Sequence, residues 1–429
     1  MNIQNKIMHS LIIGLIGMIT IMNISCNNTT TNKSGASRVT IKGSFTGGTN
    51  AKNNWIERLF ARITKSAYAL DPHQVMKVIV FSNNWSYEVA PVTDNSFSID
   101  VATGQPVGII FAGANDNFLG YLTLDNGINS LPLTKLTDTA TIDLQTLSSN
   151  DKIVEPGHNP IGAEIPLTPE EQKALAQSNS LFASTVINPD VDGNGKIDIL
   201  EGKFFKFQIL YFINGGTIST NSDTNLIAQV ITPASISGYR LAFGLKGSNL
   251  PDTVTFSGPA GSGLSNAPED QFIVIGDGKV YFTPYIQNPA IPPAGQYTVS
   301  YNNAVLTFSM PDQSSAPSKI VVAKPTLTLN SDGTINKIDW VYQLGDGSGP
   351  IDPVALIGRV LIQIDGSGTP CGNYPQGQGS RIYNADNLSP STTEHVLTCQ
   401  NILWSNVTTL YLVTTDIYDN QYIVTFQRQ

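Results

Sequence analysis

Ser96-Phe97-Ser98-Ile99-Asp100-Val101, Pro106-Val107-Gly108-Ile109-Ile110-Phe111 and Leu119-Gly120-Tyr121-Leu122-Thr123-Leu124 follow one another with turn-forming Gly, Asn and Asp between them. The first run alternates polar and apolar residues, the period of two that sends successive side chains to opposite faces of a sheet. The second is apolar nearly throughout and reads as a strand covered on both faces. Outward from this stretch, Val39-Thr40-Ile41-Lys42-Gly43 and Met76-Lys77-Val78-Ile79-Val80-Phe81 repeat the pattern. Short strands spaced by about ten residues predict an antiparallel sandwich over residues 38–150.

The run Thr93-Asp94-Asn95-Ser96-Phe97-Ser98-Ile99 followed by Pro106-Val107-Gly108-Ile109-Ile110-Phe111 resembles the carboxypeptidase regulatory, or transthyretin-like, sandwich. That resemblance implies a fold and no chemistry. An insertion at 48–71 interrupts the block. Within it Trp55, Ile56, Leu59, Phe60 and Ile63 fall at helical spacing beside Lys52, Arg58, Arg62 and Lys65. Such a basic amphipathic helix suits an anionic membrane surface or packing against a protein neighbour.

Residues 164–216 change character. Thr168-Pro169-Glu170-Glu171 aligns an N-cap, a helix-starting proline and a capping-box glutamate, so a helix is expected toward Val186, stopped by Asn188-Pro189. Then comes Asp190-Val191-Asp192-Gly193-Asn194-Gly195-Lys196-Ile197-Asp198-Ile199-Leu200-Glu201. A hard cation takes six to eight oxygen ligands, and this loop offers oxygen-bearing side chains at positions 1, 3, 5, 9 and 12. These are Asp190, Asp192, Asn194, Asp198 and Glu201, with the backbone carbonyl of Lys196 at position 7. Gly195 permits the sharp bend, and Ile197 should point into a local core.

The run resembles EF-hand loops in general and, from Asp190 to Asp198, those of bacterial dockerins. It implies Ca2+ as the bound ion. Dockerins carry a second loop that this chain lacks, since Leu329-Asn330-Ser331-Asp332-Gly333-Thr334-Ile335 has hairpin spacing, so their partner binding does not carry over. These residues alone fit calcium in a structural role and in a regulatory one. After the loop, Leu200 to Ile213 is apolar enough for an exiting helix, while alternating Phe205, Phe207, Ile209, Tyr211 and Ile213 equally suit a strand. A glutamate at position 12 normally opens an exiting helix, which favours the helix.

Further strands are expected over 226–310 and, past a linker at Pro311–Ser318, over 319–429; both blocks resemble immunoglobulin-like or fibronectin-like sandwiches in pattern. Phe272–Ile275 and Val280–Phe282 flank one turn, and Tyr297–Tyr301 pairs with Ala304–Phe308 across Asn302-Asn303. The fold class is therefore mainly β: two or three antiparallel sandwiches with a small helical EF-hand-like module between the first and the rest.

Lys6, an apolar run from Leu11 to Met22 and Ser25-Cys26 form an export signal over residues 1–25. Asn23-Ile24-Ser25-Cys26 resembles a bacterial lipobox, departing from it at Asn23; the resemblance implies acylation of Cys26 and a membrane anchor, with 26–37 as a polar tether. That leaves Cys371 and Cys399 to pair or to stay as buried thiols, and an oxidising compartment favours the disulfide. A net charge of −9 with 13% charged residues and no basic block argues against nucleic acid. No nucleophile elbow, phosphate loop, dinucleotide fingerprint or zinc-protease motif occurs, and His9, His73, His158 and His395 have no ligand spacing, so no enzymatic activity is expected. The role expected is structural or adhesive at the cell envelope, with an envelope protein or a glycan as partner; Trp85, Tyr87 and Trp404, in turn-rich contexts, suggest the glycan. A secreted glycan hydrolase is the enzyme alternative.

Overall fold

The computed structural model describes residues 37–45, 74–83, 86–136, 140–220, 225–228, 236–246, 250–275, 278–302, 304–371, 380–397, 399 and 401–428. The signal, Cys26, the insertion at 48–71, His73 and Trp85 lie outside them. The chain divides into two compact units. Among the described residues, the amino-terminal one takes those up to Thr168 and Asn179–Phe204; the carboxy-terminal one takes Pro169–Ser178 and those from Phe205 on.

The amino-terminal unit contains β1 (Arg38–Phe45), β2 (Lys77–Ser82), β3 (Tyr87–Pro91), β4 (Ser96–Ala102), β5 (Pro106–Ala112), β6 (Phe118–Leu122), β7 (Leu131–Pro132), β8 (Thr141–Asn150) and β9 (Ile153–Glu155). They hydrogen-bond in the order β3-β2-β5-β6-β9-β8-β1-β4, with β7 on β5. Pairing is antiparallel except at β1 with β8 and β6 with β9. The alternation of β4 is realised, with Phe97, Ile99 and Val101 buried and Ser96, Ser98 and Asp100 exposed, while β5 is buried along its whole length. Phe111 meets Phe45 edge-on at 5.4 Å between ring centres, and Phe97 at 6.4 Å. Each such ring removes enough apolar surface from water to contribute about 1.5–3 kcal/mol.

Helix α1 (Pro169–Ile187) starts at the expected proline, with Glu170 and Glu171 at its positive end. Pro189 biases Asn188 away from helical geometry and stops it. Glu171, Ala174, Leu175, Ser178 and Asn179 are buried, a stripe at i, i+3, i+4, i+7 and i+8. Polar groups on the stripe are tied down: Asn179 Oδ1 accepts from Ser130 Oγ at 2.9 Å and the Ser178 carbonyl accepts from Asn420 Nδ2 at 3.1 Å.

The segment after the loop departs from the favoured expectation. A short 3₁₀ turn, Asp198–Glu201, ends at Gly202 in the left-handed region (φ 73°), and the chain enters strand β10 (Phe204–Thr220). No exiting helix forms. Residues 205–213 are all buried, as suits an inner strand covered on both faces and not a helix with one solvated side.

The carboxy-terminal unit continues with β11 (Asn225–Ala228), β12 (Ile236–Lys246), β13 (Val254–Ser257), β14 (Pro268–Glu269), β15 (Phe272–Ile275), β16 (Gly278–Phe282), β17 (Gly295–Tyr301) and β18 (Ala304–Met310). A four-residue helix α2 (Ala316–Lys319) follows, then β19 (Val321–Leu329), β20 (Ile335–Leu344), β21 (Ile357–Gly366), β22 (Arg381–Leu388), β23 (Glu394–Val396), β24 (Val407–Asp416) and β25 (Gln421–Arg428). One 12-stranded sheet runs β22-β21-β24-β25-β10-β11-β19-β20-β23, with β12 on β10, β16 on β12 and β15 on β16; a 4-stranded sheet runs β14-β13-β17-β18. Strands from 226–310 and from 319–429 thus share one hydrogen-bonded sheet. Strand β10 pairs in parallel with β25, Leu210 opposite Gln421 and Ile218 opposite Arg428. Leu210, Phe212, Phe282, Tyr411, Val413 and Ile423 form one core cluster. Both foreseen hairpins form, Ile275 facing Gly278 and Tyr301 facing Ala304.

Candidate metal centre

Every polar backbone group in the segment 190–201 needs a partner, and much of the loop's shape follows from where its amides find one. Asp198 N donates to the Pro189 carbonyl at 2.9 Å, closing the loop's two ends. Inside, the Asn194 amide donates to Asp190 Oδ1 (3.0 Å) and Asp192 Oδ1 (3.2 Å), and the Gly195 amide to Asp190 Oδ2 (2.9 Å). Gly193 and Gly195 take φ values of 72° and 85°, a region open to glycine at little cost. Ile197 is fully buried, as expected, and its amide donates to the Asp116 carbonyl at 3.3 Å.

The result is convergence of carboxylates. Asp190, Asp192 and Asp198 each present one oxygen, and these atoms lie within 4.8 Å of one another. Oxygens bound to one calcium ion at about 2.3–2.6 Å stand at most about 5 Å apart, so the spacing suits a single ion. Asp198 is 5% exposed. Its Oδ2 accepts from the Val191 amide at 2.6 Å, whereas its buried Oδ1 has no hydrogen-bond partner. Burial, opposed by the Val191 amide and reinforced by Asp192, pushes its carboxyl up to about 7. A buried carboxylate oxygen without a partner is costly until a cation meets it. This donor set of hard oxygens fits Ca2+ better than a softer transition metal.

Asn194 and Glu201 lie at the same site through each other: Asn194 Nδ2 donates to Glu201 Oε2 at 2.7 Å, and Asn194 Oδ1 accepts from the Lys196 amide at 2.9 Å. The Lys196 side chain extends outward, its Nζ 3.9 Å from Glu201 Oε1. A residue that loop-pattern reasoning missed is Lys203, whose Nζ donates to Asp192 Oδ2 (2.5 Å) and Glu201 Oε2 (2.7 Å). Lys203, then Asn194, hold the Glu201 carboxyl below its usual range. The only available signal was a lysine two places beyond the loop's last acid.

Elsewhere, Cys371 and Cys399 are disulfide-bonded, with Cα atoms 6.1 Å apart. Trp404 is buried at 6% exposure, which corrects its reading as an exposed glycan-facing ring; Tyr87 is half-buried. His158 pairs with Glu164 and His395 with Tyr383, and among the described residues the aspartate triad is the one cluster suited to a metal. No helix among the described residues is long and apolar enough to cross a membrane.

No protein-family model matches this chain, and no curated protein matches it. Two solved structures show faint likeness. One is described as a tetra-tandem repeat in the extending region of a large adhesion protein, at 11% identity and TM-score 0.16, covering 91% of this chain and 73% of that one. The other is a Salmonella alpha-2-macroglobulin reacted with methylamine, at 9% identity and TM-score 0.16, covering 83% of this chain and 21% of that one.

Proposed function

We infer that the chain is an exported, lipid-anchored calcium-binding protein of the cell envelope with a structural or adhesive, non-catalytic role. The observation that carries the calcium reading is the orphaned Oδ1 of buried Asp198 within the triad of Asp190, Asp192 and Asp198. Asn194, Glu201 and the carbonyl of Lys196 complete the oxygen set expected of such a loop. Calcium supplies the divalent charge that offsets these converging acids. Its effect is structural: it fixes the path by which the chain leaves α1 and enters β10. The export and anchor reading rests on the apolar run before Cys26. The Cys371–Cys399 bond agrees with an oxidising compartment. A sheet-rich body linked by tight turns suits a load-bearing or adhesive surface protein, with an envelope protein or a glycan as its partner. Burial of Trp404 leaves the glycan reading with less support.

Calorimetric titration of chelated protein tests the centre. An isolated loop should bind calcium at about 10⁻⁴ to 10⁻³ M. Calcium at a hundred times the Kd should then stabilise the fold by about 2.7 kcal/mol. No heat and an unchanged melting curve would refute the site. Labelled palmitate on the wild type but not on Cys26→Ser tests the anchor, and a glycan array tests the partner.

A further inference from the structure

The residue that sequence motifs do not flag sits where a metal's charge belongs. Gly202, left-handed at φ 73°, turns the chain so that the next side chain folds back over the loop. There the Lys203 ammonium lies 2.5 Å from Asp192 Oδ2 and 2.7 Å from Glu201 Oε2, while its own amide is anchored to the Asp198 carbonyl at 3.0 Å. Positions 3 and 12 are two of the side-chain ligand positions of such a loop, the second offering both carboxylate oxygens. One monovalent cation therefore bridges two of the prospective ligands. Lys196 carries the same charge in the same loop, but its side chain is 61% exposed and its Nζ lies 3.9 Å from one Glu201 oxygen.

We propose that Lys203 is a built-in competitor for the calcium site: its ammonium holds Asp192 and Glu201 together when the ion is absent and must swing out when the ion enters. The proposal rests on the calcium reading above, and the buried, unpartnered Asp198 Oδ1 is the independent sign that a stronger cation is wanted there. Lys203 does not reach that oxygen in its contacts, so the ammonium satisfies the outer acids and leaves the inner one unmet. The side chain is 38% exposed, which leaves it a route into water. An exposed ion pair is a weak competitor even when it bridges two acids, so it should weaken apparent affinity only about five- to tenfold. The site would then fill at extracellular calcium levels and stay metal-free, yet ordered, in dilute calcium.

Calorimetry on the full chain with CaCl₂ compares wild type, Lys203→Gln, Lys203→Met and Lys196→Gln. Both Lys203 variants should tighten calcium binding about five- to tenfold, Lys196→Gln no more than about twofold, and both Lys203 variants, unlike Lys196→Gln, should melt earlier in chelator. Reductive methylation read by mass spectrometry gives a second measure: Lys203 should react several-fold faster in calcium than in chelator. Binding by Lys203→Gln with none detectable in the wild type would support the proposal in its strongest form. Equal affinities for wild type and Lys203→Gln would overturn it while leaving the calcium site intact. Equal tightening by Lys196→Gln would overturn it too, by tracing the gain to general charge. No binding by any protein would remove the site and the proposal together.

Discussion

Asn194 Nδ2 donates to Glu201 Oε2 at 2.7 Å, so the fifth and twelfth positions of the loop touch directly across it. Their contact means that the last ligand is already swung toward the first half of the loop before an ion arrives. Glu201→Gln should keep this geometry, since an amide oxygen still accepts from Asn194, but lose the charge. The expected outcome is an apo melting temperature near that of the wild type and a calcium-induced rise reduced by more than half, read by thermal unfolding with and without chelator.

Ile197 is the loop's anchor. It is fully buried and its amide is bonded to Asp116, itself paired with Lys77. Ile197→Ala should destabilise the protein by about 2–4 kcal/mol, and Ile197→Val by about 1 kcal/mol, in denaturant unfolding. Calcium affinity should fall in the alanine variant although no ligand has been altered.

Asp416 sets a pH dependence unrelated to the loop. Its carboxylate is buried and accepts from the amides of Tyr418 and Asn420, the Asn420 side chain and the Tyr422 hydroxyl. Desolvation outweighs these bonds and pushes its pKa from 3.8 up to about 7. The folded state thus holds this proton more tightly than the unfolded chain. The stability it contributes is fully present below about pH 4 and is lost as pH rises through 7, by at most about 4 kcal/mol. Denaturant unfolding in chelator from pH 4 to 8 should show that downward slope in the wild type relative to Asp416→Asn, which has no carboxyl to titrate.

The Cys371–Cys399 bond spans 28 residues of sequence. Closing a loop of that size restricts the unfolded chain by about 3–4 kcal/mol in the entropy model. Cys399→Ser should lower stability by about that amount, and limited proteolysis of reduced protein should cut first between the two cysteines. A digest identical with and without reductant would contradict this.

Much of the fold was legible. The alternation Phe97, Ile99, Val101 and the turn at Asn302-Asn303 report local geometry, and local geometry is what a period of two or a pair of turn residues encodes. The aspartate triad was legible for the same reason: Asp190, Asp192 and Asp198 are spaced within one short segment. What escaped depends on distant partners. Phe205 to Ile213 is buried along its whole length, Lys206 and Gln208 included, and nothing local distinguishes that apolar run from the start of a helix. Trp404 lies beside turn residues yet is buried, because the Thr334–Leu403 bridge and the bond from its amide to the Gly333 carbonyl fold that turn inward. Lys203 escaped because motif spacing counts acids and ignores the cation that can sit among them.

The parallel pairing of β10 with β25 has a consequence for how the carboxy-terminal unit is assembled. The strand made first at its centre receives one of its neighbours only when the final strand has been synthesised. Until then the backbone of β10 from Leu210 to Ile218 is an unmatched edge, the kind of surface on which nascent chains aggregate. Such late closure makes for a high contact order and slow folding. The unit therefore cannot lock into its final form before β25 has been made.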